Sequence, residues 1–130
     1  MNHLYPIVTT AAPLDCRDFY VSALGARVLF QKEWYVHLSL EGWEIGFLQP
    51  KPPVRLPVFQ HASVSRGLCL AVEVQDVRAL HAQFVTQNIP RLAELAEFPG
   101  GEWAFSVMDP AGVVLNIVER HPEARTTFEV

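Results

Sequence analysis

Short apolar runs, several of them alternating with polar residues, recur along both halves of the chain and are typical of β-strands. They lie at residues 4–10, 26–31, 35–40 and 44–49, and again at residues 67–74, 91–97 and 105–119. Inside the last run stands Asp109-Pro110-Ala111-Gly112, in which proline fixes φ and glycine accepts a positive φ. This run therefore predicts a strand, a tight turn and a second strand.

One amphipathic helix is predicted in each half. Residues 13–24 begin with Pro13, which suits the first helical turn, and stop at Gly25, which suits the position just past a helix. Residues 77–88 follow Asp76, a residue type that caps helix N-termini, and end before Ile89-Pro90. In the first helix Leu14, Phe19 or Tyr20, and Leu24 approximate a helical stripe, and in the second Val77, Leu80, His81 and Phe84 share one face.

Both halves thus have the element order β-α-β-β-β, which makes the chain an internal repeat. Aligning Gly42 with Gly112 superimposes the two hairpins and places Tyr35 on Phe105. The prediction is a single domain over residues 1–130, with a first module at about residues 4–49 and a second at about residues 67–120. Between them, at about residues 50–66, prolines exclude a central strand and predict a linker or a flap. Each helix covers one face of its own sheet, so the other faces are expected to line a cleft.

The composition and charge of the chain exclude several classes of function. Half of the 130 residues are hydrophobic and 18% are charged, which excludes a disordered chain. The net charge of −4 and the scattered Lys and Arg residues predict no nucleic-acid partner and no membrane partner. No apolar run reaches the ~18 residues of a membrane span, and the N-terminus lacks the pattern of a signal peptide. The two cysteines, Cys16 and Cys69, lack metal-site spacing and predict reduced thiols in a cytoplasmic protein.

Three passages, taken in order, resemble those of one known family. They are residues 15–25 with Phe19-Tyr20 and Leu24-Gly25, residues 72–77, and the turn at residues 109–112 with the strand that follows it. On these passages the chain resembles, from Leu4 to Glu119, the glyoxalase / bleomycin-resistance / extradiol-dioxygenase superfamily, also called vicinal oxygen chelate proteins. The resemblance implies an α+β fold in which two tandem βαβββ modules form an open, barrel-like cleft. It also implies a homodimer.

In metal-using members of that superfamily, the first and fourth strands of each module carry the ligands of a divalent ion. The resemblance places those four positions on Tyr5, Gly46, Cys69 and Asn116. Glycine has no side-chain donor, and neutral Tyr and Asn with a lone thiol do not hold a hard divalent ion. We therefore expect no metal and no other cofactor in this protein.

The residues expected to bind a ligand are aromatic and polar side chains on the cleft faces of the strands. They are Tyr5, Tyr35, His37, Cys69, Glu73, Trp103, Phe105 and Asn116. Aromatic walls with a few placed polar groups are typical of small-molecule pockets. Glu119 is expected on the opposite face as a surface charge, because strand side chains alternate. No residue is assigned a catalytic role, since the sequence has no phosphate loop, nucleophile elbow or paired-carboxylate motif.

Three functional hypotheses remain open at this point. The leading one is a metal-free small-molecule-binding protein of the bleomycin-resistance type, which sequesters a hydrophobic or aromatic ligand in the cleft. The alternative is a metal-dependent glyoxalase-like lyase, isomerase or dioxygenase whose ligands are displaced from the expected positions. Its candidate ligands are His3, His37, Glu44, Glu73 and Glu119. The third is an interaction module whose cleft is filled by its own side chains.

Overall fold

The structure is a computed structural model that describes residues 1–50 and 68–119. The predicted linker or flap at about residues 50–66 lies, apart from residue 50, outside the described residues. Contacts divide the chain into two compact units. The first unit comprises Met1–Arg66 and Asp109–Gly112, and the second comprises Gly67–Met108 and Val113–Val130. The turn at residues 109–112 therefore packs with the first unit.

The first unit contains a four-stranded mixed sheet and one helix. Its elements are β1 (Ile7–Thr9), α1 (Pro13–Leu24), β2 (Arg27–Lys32), β3 (Tyr35–Leu40) and β4 (Trp43–Leu48). The strand order is β1-β4-β3-β2, with β1 parallel to β4 and the other neighbours antiparallel. Strand β1 is shorter than its predicted run at residues 4–10, and the other strands agree closely with the sequence pattern.

The second unit repeats this plan. Its elements are β5 (Cys69–Glu73), α2 (Val77–Thr86), β6 (Ala93–Glu97), β7 (Trp103–Met108) and β8 (Val114–Glu119). The strand order is β5-β8-β7-β6, with β5 parallel to β8. The predicted α+β class and the repeated βαβββ order are thereby confirmed. No helix in either described range is long and apolar enough to cross a membrane.

The helix ends follow the residues that the sequence indicates. Helix α1 begins at Pro13, and Gly25 follows it with φ of 67°, a left-handed conformation that glycine adopts freely. Helix α2 is capped by Asp76, whose side chain accepts the Ala79 N–H at 3.0 Å. It ends at Thr86, slightly before the predicted end at residue 88.

The buried face of α1 differs from the predicted stripe. Its buried residues are Pro13, Cys16, Tyr20 and Ala23, whereas Leu14, Phe19 and Leu24 are half-buried. Tyr20 is tolerated in the interior because its hydroxyl has a hydrogen-bond acceptor there. Of the residues in the predicted stripe, Tyr20 is therefore the one that is fully buried.

That acceptor is Asp109, in the predicted tight turn. Tyr20 Oη donates to Asp109 Oδ2 at 2.6 Å, and the two residues are 0% and 3% exposed. Burial, and then the negative charge of Asp109, raises the pKa of Tyr20 far above its usual value. Asp109 also accepts the Ala111 N–H at 2.9 Å through Oδ1 and the Gly112 N–H at 3.0 Å through its carbonyl, which confirms the turn.

Each helix packs on one face of its own sheet. In the first unit, Tyr20 of α1 contacts Phe47 of β4, with ring centroids 5.2 Å apart. In the second unit, Phe84 of α2 contacts Phe105 of β7 at 5.4 Å. Because strand side chains alternate, the residues next to Phe47 and Phe105 point to the other side of each sheet. We call that side, turned away from the helix of the same unit, the far face.

Candidate functional site

Aromatic and polar side chains are grouped on the far face of the first sheet. Tyr35 and His37 lie on β3, and Glu44 and Gly46 lie on β4. His37 pairs with Gly46 across the two strands, so all four residues share the face opposite Phe47. Burial of Phe47 against α1 fixes this register, because a one-residue slip would turn the polar residues into the core.

His37 makes a hydrogen bond at each ring nitrogen. Tyr35 Oη lies 2.5 Å from Nδ1, and Glu44 Oε1 lies 2.6 Å from Nε2. An ionised carboxylate only accepts hydrogen bonds, so Nε2 carries a proton and donates it to Glu44. In the neutral ring Nδ1 is then the acceptor of the Tyr35 hydroxyl proton. Tyr35, His37 and Glu44 therefore form a directed hydrogen-bonded triad.

The segment before β1 adds two more rings to this face. Tyr5 meets His37 edge-on, with 4.6 Å between the ring centroids and 86° between the planes. His3 Nδ1 lies 3.6 Å from Glu44 Oε2. The Gly46 N–H donates to the Pro6 carbonyl at 2.9 Å, and this main-chain bond anchors the segment to β4. Tyr5 and His3 are thus placed at the triad by the parallel pairing of β1 with β4.

The ring of Tyr35 lies across Gly46. A Cβ atom at position 46 would clash with the hydroxyl and ring of Tyr35, so the absence of a side chain there makes room for the tyrosine. Burial, followed by the nearby Tyr5 and Glu44, raises the pKa of Tyr35 to about 12. Tyr35 therefore keeps its proton at neutral pH and donates it to His37.

Replacing Gly46 by alanine is expected to move Tyr35 and break its bond to His37. The atom in the way is the end of a flexible side chain, so the free energy of unfolding should fall by only about 1 kcal/mol, the scale of one partly exposed hydrogen bond. The pKa of Tyr35 should fall back toward 10 as the hydroxyl gains solvent. Urea unfolding and a pH titration of the tyrosine NMR signals measure the two effects.

A double variant supplies the control for Gly46→Ala. In a Tyr35→Ala background the clash is gone, and alanine at position 46 should be neutral or stabilising, because glycine weakens a strand by about 0.5–1 kcal/mol. The two substitutions should therefore be strongly non-additive. Equal effects of Gly46→Ala in both backgrounds would contradict the placement of Tyr35 over Gly46.

Three of the predicted ligand-binding residues share the far face of the second sheet. Cys69 and Glu73 lie on β5, and Asn116 lies on β8 directly beside Ala71. Cys69 and Glu73 are exposed, and Asn116 is half-buried. Their predicted common face is confirmed, and their contact with a ligand stays a prediction.

Trp103 and Phe105 lie on the helix side of the second sheet, so their predicted cleft-facing orientation is wrong. Phe105 is 1% exposed and contacts Phe84 and His81 of α2. Trp103, two residues earlier on β7, lies beneath the Arg78 guanidinium, which is 4.2 Å from the ring centroid. Phe105 is a core residue, and Trp103 is covered by a side chain of α2.

The error arises from the lengths of the two hairpin connections. In the first hairpin Leu38 pairs with Ile45, and residues 39–44 lie between them. In the second, Val107 pairs with Leu115, and residues 108–114 lie between them, one residue more. A shift of one residue exchanges the two faces of a strand. Aligning the glycines of the two turns therefore gave β7 the opposite orientation.

Glu119 has a structural role instead of the predicted surface position. It is half-buried, and its Oε1 accepts the Val77 N–H at 3.0 Å. Val77 is the first residue of α2, where main-chain N–H groups lack helical partners and a negative charge is favourable. Glu119 therefore stabilises the start of α2 from the helix side of the sheet.

The positions at which the resemblance implies metal ligands do not fit a divalent ion. Gly46 offers no donor, and the Tyr35 ring occupies the space beside it. Tyr5 packs its ring on His37. Within residues 1–50 and 68–119, no group of three His, Cys, Asp or Glu side chains is arranged to hold a metal ion. What the far face of the first sheet offers a ligand is aromatic contact and directed hydrogen bonds.

Glu44 completes the triad, although it was not among the predicted ligand-binding residues. Its sequence signal is indirect: it has the same strand parity as Gly46 and pairs with Ser39 of β3. Diagonal neighbours across two strands are within reach of long side chains, which is how Glu44 meets His37. Deriving the β3–β4 register from the two-residue turn at Glu41-Gly42 would have revealed this contact.

No known family model matches this chain, and no curated protein matches it. Solved structures do match, over nearly its whole length. A lactoylglutathione lyase from Agrobacterium tumefaciens is 16% identical with a TM-score of 0.72, covering 92% of this chain and 94% of that chain. A glyoxalase/bleomycin resistance protein/dioxygenase from Nocardioides is 12% identical with a TM-score of 0.76, covering 100% and 90%. A glyoxalase-related enzyme from Fulvimarina pelagi is 18% identical with a TM-score of 0.71, covering 100% of both chains. The chain therefore has the fold of the glyoxalase/bleomycin resistance/dioxygenase superfamily, as its sequence predicts.

Proposed function

We propose that this protein is a metal-free small-molecule-binding protein of the bleomycin-resistance type. Its ligand is hydrophobic or aromatic and lies against the far face of the first sheet. Tyr5 and Tyr35 contact the ligand through their rings, and His37 and Glu44 fix its orientation by hydrogen bonding. Sequestration of this kind needs burial and complementarity but no reaction.

The observation that carries this proposal is the placement of the Tyr35 ring across Gly46. At a position where the superfamily's metal-using members supply a ligand, this chain has no donor and fills the space with an aromatic ring. Tyr5 adds a second ring, and the triad adds a small number of polar groups. A mainly aromatic wall with a few directed hydrogen-bonding groups is typical of sites that bind organic molecules.

The second unit carries the remaining predicted ligand-binding residues on a face of its own. Cys69, Glu73 and Asn116 share the far face of the second sheet. Asn116 offers both a donor and an acceptor, and Glu73 offers a negative charge to a cationic group. Trp103 and Phe105 take no part in ligand binding in this proposal, because they face α2.

Thermal unfolding in the presence of small planar aromatic compounds tests the proposal. A ligand at 100 times its Kd stabilises the folded state by about 2.7 kcal/mol, which should raise the Tm by ~10 °C in a chain of this length. Tyr5→Ala should remove more than half of that shift. Phe98→Ala is the matched control, since Phe98 is 40% exposed against 38% for Tyr5 but lies in the second unit.

The metal-dependent alternative gives a different result in the same experiment. It requires Zn²⁺, Ni²⁺ or Mn²⁺ to raise the Tm strongly, with loss of that shift in His37→Ala or Glu44→Ala. It also requires stoichiometric metal in the purified protein by elemental analysis. Either finding would overturn the proposal, as would the absence of any stabilising aromatic compound in a broad panel.

We also propose that the protein works as a homodimer in the cytoplasm. The edge strand β2 supports the dimer, because Val28, Leu29 and Phe30 are 43%, 46% and 49% exposed, which is unusual for adjacent large apolar residues. Cys16 and Cys69 are free thiols, which suits a reducing compartment. A monomeric mass by light scattering would contradict the dimer, and secretion of the protein would contradict the location.

A further inference from the structure

The triad on the far face of the first sheet is more than a set of hydrogen-bonding groups, because its bonds run in one direction. Tyr35 Oη donates to His37 Nδ1, and His37 Nε2 donates to Glu44, over distances of 2.5 and 2.6 Å. His37 Nδ1 can therefore receive the proton of Tyr35, and Glu44 accepts the hydrogen bond from Nε2. Such a chain delivers a proton from the Tyr35 oxygen to the imidazole, where the Glu44 carboxylate stabilises the positive charge.

We infer that the triad takes a proton from a weakly acidic hydroxyl group of the bound ligand, so that a phenol or enol is held as its anion. This inference rests on the proposed function and names the chemical class of its ligand. The ligand O–H bond breaks and a new O–H bond forms on Tyr35. The original Tyr35 proton passes to His37 Nδ1. The ligand becomes an anion, His37 becomes an imidazolium, and the complex neither gains nor loses a proton.

The surroundings of His37 favour this direction of transfer. Glu44 of β4 contacts Nε2 directly, and the His3 imidazole lies on the other carboxylate oxygen of Glu44. Tyr5 and Tyr35 are the other titratable neighbours, and neither carries a charge when protonated. On β2, Phe30 pairs with His37, and Lys32 lies over the Phe30 ring. The charged group in contact with His37 is thus a carboxylate.

The position of the tyrosine hydroxyl selects the ligand class. Tyr35 is half-buried, and its hydroxyl oxygen keeps the capacity to accept a hydrogen bond while it donates to His37. Since the pKa of Tyr35 is raised to about 12, the ligand meets a neutral hydroxyl and not a tyrosinate. A ligand hydroxyl can donate its proton to the Tyr35 oxygen. An ether oxygen at the same place has no proton to donate, and it finds no donor in Tyr35, whose own proton is bonded to His37. Tyr5, which makes a T-shaped contact with His37 and is 38% exposed, offers aromatic surface on the same face.

A pair of coloured probes tests the inference on the full chain. Para-nitrophenol changes its visible absorption when it loses its proton, and para-nitroanisole has the same shape but no proton to lose. At a given pH below the pKa of the free phenol, the ratio of ionised to neutral nitrophenol should be about tenfold higher for the bound probe than for the free probe. This ratio corresponds to a probe pKa lowered by about 1 unit. A pH indicator in weakly buffered solution should detect no proton release on binding, because the proton lost by nitrophenol is balanced by the one gained by His37.

The outcomes separate the inference from the proposed function. If nitroanisole and nitrophenol both bind and nitrophenol stays neutral, the proton transfer is overturned and the binding function stands. If nitrophenol ionises with release of one proton per site to solution, the transfer to His37 is overturned. If neither probe binds, the inference is overturned, whereas the proposed function is overturned only if the broad panel of aromatic compounds also fails to stabilise the protein.

Three variants locate the proton path. His37→Gln removes the imidazole that accepts the proton. Tyr35→Phe removes the hydroxyl that receives the ligand proton, and Glu44→Gln keeps a hydrogen-bond acceptor but removes the negative charge. Each should abolish the excess ionised band at a saturating concentration of nitrophenol, with circular dichroism to confirm folding. His81→Gln is the matched control, because His81 bonds to Glu94 through Nε2 at 3.2 Å but belongs to the second unit. Retention of the band in His37→Gln would overturn the inference.

Imidazole nitrogen NMR gives a readout that needs no ligand. In the free protein the neutral form of His37 should carry its proton on Nε2, because the Glu44 carboxylate accepts a hydrogen bond there. On adding nitrophenol, Nδ1 should also become protonated. A proton on Nδ1 alone in the free protein would contradict the direction of the triad.

Discussion

Truncating Phe105 to alanine is expected to lower the free energy of unfolding by about 3–5 kcal/mol, the usual loss for a fully buried phenylalanine. Phe105 is 1% exposed and contacts Phe84 and His81 of α2, so its removal leaves a cavity between the second sheet and its helix. Urea unfolding monitored by circular dichroism measures the loss. Binding of an aromatic ligand to the remaining folded protein should be unaffected, because Phe105 packs against α2.

Phe98→Ala is the control for this prediction. Phe98 is 40% exposed in the same unit, and its truncation should cost under about 1 kcal/mol. A small loss for Phe105→Ala, combined with weaker ligand binding, would instead support the orientation that was predicted from the sequence. The pair of variants therefore decides between a core role and a ligand-binding role for this residue.

Replacing Tyr20 by phenylalanine should cost about 2–3 kcal/mol at neutral pH. The variant keeps the ring that packs on Phe47 but removes the donor that serves the buried Asp109 carboxylate. Hydrogen bonds to charged groups contribute about 1.5–3 kcal/mol, and a buried acceptor that loses a donor carries a further penalty. Tyr35→Phe is the control, since it removes a hydroxyl from a partly exposed bond to a neutral ring and should cost less than about 1.5 kcal/mol.

The pH dependence of the Tyr20→Phe effect follows from the raised pKa of Tyr20. In the unfolded chain the hydroxyl ionises near pH 10, whereas in the folded protein burial and Asp109 hold it neutral well above that. The stability that the hydroxyl contributes is thus fully present below about pH 10 and is lost as the pH rises further. The difference between wild type and Tyr20→Phe should narrow above pH 10. A difference that stays constant or widens there would contradict the buried bond.

Most of the fold can be predicted from the sequence because its local signals agree with one another. Pro13 and Gly25 mark the two ends of α1, Asp76 caps α2, and the turn at residues 109–112 forms as its residue types require. The repeated order of elements then leaves few topologies, since a parallel first strand needs a helical crossover. These signals act over a few residues each, which is why they are readable without a structure.

The orientation of β7 could not be obtained in the same way. Its face depends on how many residues join it to β8, and the apolar pattern of Trp103, Phe105 and Val107 suits either face of a sheet. The counterparts of Tyr35 and His37 in the second sheet are Ala104 and Ser106, which carry none of the chemistry of the triad. An internal repeat in the sequence therefore does not imply two equivalent sites.

The candidate site was predicted in part. Tyr5, Tyr35 and His37 were placed on one face from strand parity, and the structure brings all three into contact. Glu44 was assigned only to the metal-dependent alternative, because its contact with His37 depends on the register between two strands and on side-chain length. Strand parity gives the face of a residue, but a hydrogen-bonded partner also requires the position along the neighbouring strand.

The Tyr20–Asp109 bond also limits how this protein can be divided. Asp109 comes from the last hairpin of the chain, yet it receives the hydroxyl of a residue in the first helix. A fragment cut at the proline-rich stretch would contain that helix without its carboxylate and would leave a buried hydroxyl with no acceptor. Recombining such halves between proteins would therefore fail unless the incoming half carried an acceptor at this place in its turn. The two repeats are alike in plan, but they are not interchangeable parts.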